Sequence, residues 1–380
     1  MKTNFILINI LIGFLFFNQK IPDIQRVQNS LKEVQSAEGR LALTLIREWG
    51  GDNEVDENKF FFEPKDIAFN REGQIYILEA TRIKVFDESG KYLKTLGTAG
   101  QGPGELLGAC ILEIDSENNL LIFDADNRRV QVMSPEGRVQ GGFPLKMEQS
   151  SPMLVMQKKE ILMCNRTKTK ESSTLWQYFN FQGRLLRENG ERKGSSSALE
   201  NKYRYEFFVA LDKSENIYAA ATYRPLIQKY SPAGEIQVEI TYEAPFEVPE
   251  IKAVRRPQGE FVDRETVCRG IDIDAAGRAF LLTLTRPMAL EERKVGMSFM
   301  FSSYDGKSAN TGRLKANIDP SRSDLFQILV FDPVGKIIAS KKLNTYVNRI
   351  RIYKDRLFLI DSYINMKIFE YQIPVFSQTP

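Results

Sequence analysis

From residue 41 to residue 373, apolar and polar positions alternate in short runs broken by Gly, Asn, Asp, Ser and Pro. This is the pattern of brief antiparallel strands joined by tight turns. The clearest unit is residues 67–97, IAFNREGQIYILEATRIKVFDESGKYLKTLG. It reads as a strand at 67–69, a turn at 70–73, strands at 74–78 and 82–87, a turn at Ser89-Gly90 and a strand at 92–96. Similar units follow at 111–143, 153–188, 208–242 and 270–343, the last carrying a long insertion at 286–324 between its second and third strands. A sixth unit, 347–373, supplies only three strands, whereas residues 41–49, LALTLIREW, stand ahead of the first unit as a strand without a partner. Placing that orphan in the empty slot predicts an all-β fold, a six-bladed β-propeller of four-stranded antiparallel blades spanning 41–375. The N-terminal strand closes the last blade, which removes open edges from the ring.

The segment before the ring has a different pattern. Lys2 precedes a mostly apolar run at 5–17, then Asn18-Gln19-Lys20. Thirteen residues are too few to span a bilayer and suit a signal h-region. Residues 1–20 therefore read as a signal peptide or an uncleaved N-terminal anchor, and the folded part is expected to be extracytoplasmic, touching a membrane only through such an anchor. Residues 21–40 read as a linker, a short helix or a tether.

Composition narrows the chemistry. With 52 Lys and Arg against 49 Asp and Glu, the formal charge of +3 gives no global pull toward nucleic acid. The chain has no histidine, which excludes imidazole bases, His-ligated zinc and the Ser-His-Asp and Cys-His arrangements. Cys110, Cys164 and Cys268 fall in predicted strands of three different blades without metal-ligand spacing and are expected to be buried thiols.

Strings such as EATRIKVFDESGKYLKTLG at 79–97 and DADNRRVQVMSPEG at 124–137 resemble NHL repeats. GQGPGEL at 100–106 is similar to the connection between blades of bacterial NHL-like six-bladed propellers. The resemblance covers about 41–373 and implies the propeller fold. It implies no single function, because that family includes RNA binders, protein-interaction modules and a few lyases. The lyases and quinone-dependent dehydrogenases of this shape depend on histidines, which argues against them here.

Connections between first and second strands, and between third and fourth, are short. The long ones are 98–109, 191–206 and 243–267 between blades, and 166–173 and 286–324 between second and third strands. In a four-stranded meander both long classes emerge on one side, so one face is elaborated and is the expected recognition face. The second-to-third junctions add one basic residue per blade: Arg82, Arg128, Arg166, Arg224, Arg286 and Lys367. These form a candidate ring for an anionic ligand, a protein carboxylate or an acidic glycan. The competing reading pairs each with an acidic neighbour such as Glu79, Asp124, Asp126 or Asp361. A further alternative gathers Glu79, Asp124 and Asp361 with Asn127, Asn165 and Asn365 around a divalent cation, as in a lactonase-type hydrolase. The run Phe60-Phe61-Phe62 is expected to pack between blades. The insertion, with charged residues 291–294 and the apolar MSFMF beginning at Met297, is expected to form a hairpin that, with 243–267, walls one side of the channel mouth. The expected function is a non-catalytic binding or scaffolding propeller without a cofactor; the carboxylate–metal hydrolase is the alternative.

Overall fold

The computed structural model describes residues 24–51, 54–145, 152–165, 174–192, 195, 197–293, 298–302, 309–313 and 323–376. Six meandering sheets follow one another in chain order around a central channel. Their innermost strands are Pro64–Phe69, Ala109–Ile114, Met153–Met156, Phe207–Leu211, Cys268–Ile273 and Arg349–Tyr353.

The turns explain why each unit folds as it does. In five blades the third and fourth strands are joined through a residue that both closes the turn and organises it: Asp87, Ser134, Asn180, Ser231 or Asp332. Each carbonyl accepts from the N–H of the glycine three residues on. Each side-chain oxygen accepts from the N–H four residues on. The glycine lies in the left-handed region, as at Gly335 with φ 95°. A Cβ at Gly335 would meet Ile240 Cγ1 of the preceding blade at 2.7 Å, so this turn also seats one blade against the next.

Closure occurs where the pattern places it. Thr44–Gly50 pairs antiparallel with Lys367–Gln372, so the last blade reads Thr44–Gly50, Lys367–Gln372, Arg356–Asp361, Arg349–Tyr353 from rim to channel. Arg47 holds buried Glu370 at 2.7 Å, and Arg356 reaches the other oxygen of Glu370 at 2.7 Å and Glu88 of the first blade at 3.1 Å. Trp49 stacks on Phe86 at 5.2 Å. Of the phenylalanine run, Phe61 packs between the last and first blades, while Phe60 and Phe62 are exposed.

The stretch expected to be a linker is structured in its described part. Gln25–Asn29 adds a fifth strand, parallel, to the outer edge of the fourth blade at Ile236–Tyr242. The helix Leu31–Ser36 follows, opened by a capping box between Ser30 and Glu33. Beyond it, Gly39 N donates to Ser340 O and Ser340 N to Ala37 O on the outer strand of the fifth blade. Buried Asn29 bridges the two blades, donating to Gly335 O and accepting from Ile337 N. The segment therefore straps the rims of the fourth and fifth blades before closing the sixth. A strand with one buried apolar side chain, Val27, carries little periodic signal, which is why the strap is not evident from alternation.

Candidate functional site

The elaborated end of the channel holds a cavity of about 300 Å³ lined by all six blades. Since first strands are innermost, its wall comes from residues that begin those strands. Lys65, Cys110, Met153, Phe208, Arg269 and Arg349 contribute one position per blade. Lys65 pairs with Glu63 at 2.5 Å and lies 5.4 Å from the Tyr363 ring centroid. Burial pushes the Cys110 thiol up to about 11, so it stays protonated and a poor nucleophile near neutrality. Cys164 and Cys268 are buried in strands of their own blades, as expected.

Arg351 lies at the channel waist, lining both this cavity and a smaller one toward the opposite face. It makes a two-pronged contact with Asp66 at 3.0 and 2.9 Å and reaches Glu113 at 3.1 Å; Arg349 meets Asp66 at 3.1 Å. Asp66 also accepts from Ile67 N and Leu112 N. Burial opposes its charge, but Arg349 and Arg351 outweigh burial and hold its carboxyl below the usual range. Asp272, bonded to Ile273 N and Ile352 N, is pushed up by burial. Glu113 accepts from Arg351 alone among the described residues, and burial, reinforced by Asp66 and Asp272, raises it to about 7. Three carboxyls face two guanidiniums, and burial favours the protonated form of both Asp272 and Glu113, whereas Asp66, next to both arginines, is held ionised.

The predicted basic ring lies elsewhere. Arg82 is bound to Glu79, at 2.5 Å. Arg286 forms a fork with Glu292 at 2.8 and 2.7 Å and joins Asp324 at 2.7 Å, which staples the two stems of the insertion and raises its own pKa. Arg224 donates to Arg204 O at 2.8 Å, and burial pushes its guanidinium down. Lys367 meets Glu48 on the closing strand at 3.0 Å. Arg128 is exposed with φ 51°, and the neighbouring Arg129 takes Asp124 at 3.0 Å. Arg166 lies outside the described residues. None of the five described members lines the mouth cavity. The second-to-third junction sits one strand farther from the axis than the start of the first strand, and that step of radius separates the two sets. The available signal is a cation at the start of an innermost strand, at Lys65, Arg269 and Arg349, where the other blades carry Cys110, Met153 and Phe208.

Glu79, Asp124 and Asp361 also stay apart. Glu79 accepts from Phe62 N, Asp124 from Leu107 N and Asn127, and Asp361 from the N–H groups of Tyr363, Ile364 and Asn365. Each organises the connection beside its own strand end. Among the described residues no group of three His, Cys, Asp or Glu is placed to hold a metal.

Around the mouth, 191–206 contains the helix Ala198–Arg204 and 243–267 contains the hairpin Ala253–Arg256 with Gly259–Val262. The insertion holds a short helix, Leu290–Arg293, and a hairpin of Ser298–Ser302 with Ala309–Arg313. Arg293 reaches Glu265 at 2.5 Å, which ties the insertion to the neighbouring connection. No helix among the described residues is long and apolar enough to cross a membrane.

No curated protein matches this chain in sequence. A DUF4221 family member from Bacteroides vulgatus superposes with a TM-score of 0.56 at 10% identity, covering 88% of this chain and 98% of that one. A Bacteroides fragilis protein inferred to be exported superposes with a TM-score of 0.55 at 11% identity, covering 93% and 100%. At these identities the likeness concerns the fold alone. The model of the DUF5128 family, described as a six-bladed beta-propeller, matches residues 56–270, and the chain belongs to that family.

Proposed function

We propose that this protein is an exported, non-catalytic binding propeller that takes a protein or glycan ligand at the mouth of its loop-rich face. The observation that carries the reading is the cavity itself: about 300 Å³, drawn from all six blades, with Lys65, Arg269 and Arg349 on its wall. Loops raised on a rigid ring are suited to recognition, and a largely apolar pocket with a few polar groups is suited to a small ligand or the end of a larger one. The insertion and the 243–267 connection, joined through Arg293 and Glu265, serve as a wall beside it. The apolar run at 5–17 supports export, and the NHL-like repeats fit a recognition role.

The test sets binding against turnover. Calorimetry with short peptides and acidic oligosaccharides is expected to find a stoichiometric binder, with no ester or lactone hydrolysis after chelation and reloading with calcium or zinc. Hydrolysis that is lost in a folded Asp124→Asn variant would overturn the reading in favour of the carboxylate–metal enzyme.

A further inference from the structure

We infer that Thr222 and Arg269 form a carboxylate subsite in the mouth, which takes the C-terminal carboxylate of a peptide chain ending in an apolar residue. The inference rests on the binding reading above and specifies its ligand. Thr222 lines the cavity at 5% exposure, and its Oγ1 is buried with no hydrogen-bond partner among the described residues. Arg269 Nε is likewise buried without a partner, and its Nη2 has only the thioether of Met288, at 3.2 Å, a weak acceptor. No described carboxylate makes an ion pair with Arg269. The two residues belong to one junction, because Val267 N and Cys268 N both donate to Thr222 O and draw the start of the fifth blade against the end of the fourth blade's second strand.

A buried donor left unsatisfied is unfavourable, whereas one carboxylate oxygen pair accepts from both a hydroxyl and a guanidinium in charge-assisted bonds. Glu206 stands on the same wall and disfavours a dianion, which selects a carboxylate over a phosphate ester. Phe208, Met153 and Ile350 make much of the remaining wall apolar, which suits an aliphatic or aromatic terminal side chain and leaves the hydroxyls of an acidic sugar poorly matched. The volume is at the low end for ligand pockets, so the cavity receives the end of a chain rather than its length.

The experiment uses the full chain and fluorescent pentapeptide pools ending in Leu, Val or Phe, randomised before that residue, as free acids and as C-terminal amides, with glucuronate as competitor. Anisotropy is expected to show the acids binding at least tenfold more tightly than the amides. Arg269→Gln should abolish that gap, and Thr222→Val should narrow it several-fold, in variants whose melting confirms folding. Equal binding of acid and amide, a gap that survives Arg269→Gln, no binding of either pool, or glucuronate binding in preference to the peptides would each overturn the subsite. Equal binding alone leaves the binding propeller standing; hydrolysis, not this result, is what defeats that reading.

Discussion

Two arginines on inner strands of adjoining blades occupy opposite electrostatic situations. Arg351, at the waist, meets Asp66 and Glu113 directly and has Asp272 nearby, so its charge is compensated within the fold. Arg269, at the mouth, has no ion pair among the described residues and one nitrogen without a partner. A buried cation surrounded by carboxylates is an element of structure, since removing it strands the charges it answered. Arg269 instead lines the mouth cavity with its charge uncompensated by any described carboxylate. The difference separates a cation that the inner strands compensate at the waist from one that they leave short of acceptors at the mouth, where the proposed ligand would sit.

Several measurements break or sharpen that contrast. The largest effect is expected from opening the ring. Deleting residues through Gly50 removes both the strap and the closing strand, and should abolish cooperative unfolding and cause aggregation, because an edge of the last blade is left unpaired. Deletion only through Arg40 removes the strap and should leave a folded but less stable ring. If the longer deletion melts like the full chain, closure does not hold the inner strands in register. Next, Arg351→Met nearly keeps volume but leaves Glu113 without its guanidinium and Asp66 with Arg349 alone, and should cost about 3–5 kcal/mol in urea unfolding.

Glu113 supplies a test by pH. Its carboxyl rises to about 7 in the folded protein from an ordinary value of 4.5, so the fold binds a proton that the unfolded chain releases. The stabilising contribution is therefore complete below about 4.5 and is lost as pH climbs through 7, an effect on the order of 2–3 kcal/mol. Unfolding curves of Glu113→Gln between pH 5 and 8 should lack this decline; parallel curves for the two proteins would show that Glu113 is already ionised at pH 5. The smallest change is expected for Arg269→Gln, less than about 1 kcal/mol, because the residue compensates no carboxylate. A loss as large as that of Arg351→Met would place Arg269 among the structural groups and dissolve the distinction.

Much of the architecture was legible in the chain. The Asp87, Ser134, Asn180, Ser231 and Asp332 turns recur with a glycine three residues on, and local hydrogen bonding makes each readable in isolation. The orphan at 41–49 was legible by counting strands. The strap was not: Gln25–Asn29 is held by the edge of the fourth blade and by Asn29 between two blades, partners more than 200 residues away. The candidate site was partly legible. Long connections marked its face, but basic residues at the second-to-third junctions drew attention to Arg82 and Arg286, which carboxylates three to six residues away already engage.

The sequence by itself determined the repeat, its turns, the number of blades, the closing strand and the absence of imidazole chemistry, because each depends on local periodicity or on composition. Only the tertiary structure decided which polar residues meet. Asp66, Glu113, Asp272 and Arg351 come from four blades, and Thr222 meets the start of Arg269's strand across a junction between two blades. Such groupings depend on the radius and rotation at which each strand stands about the axis, and spacing along the chain does not encode either.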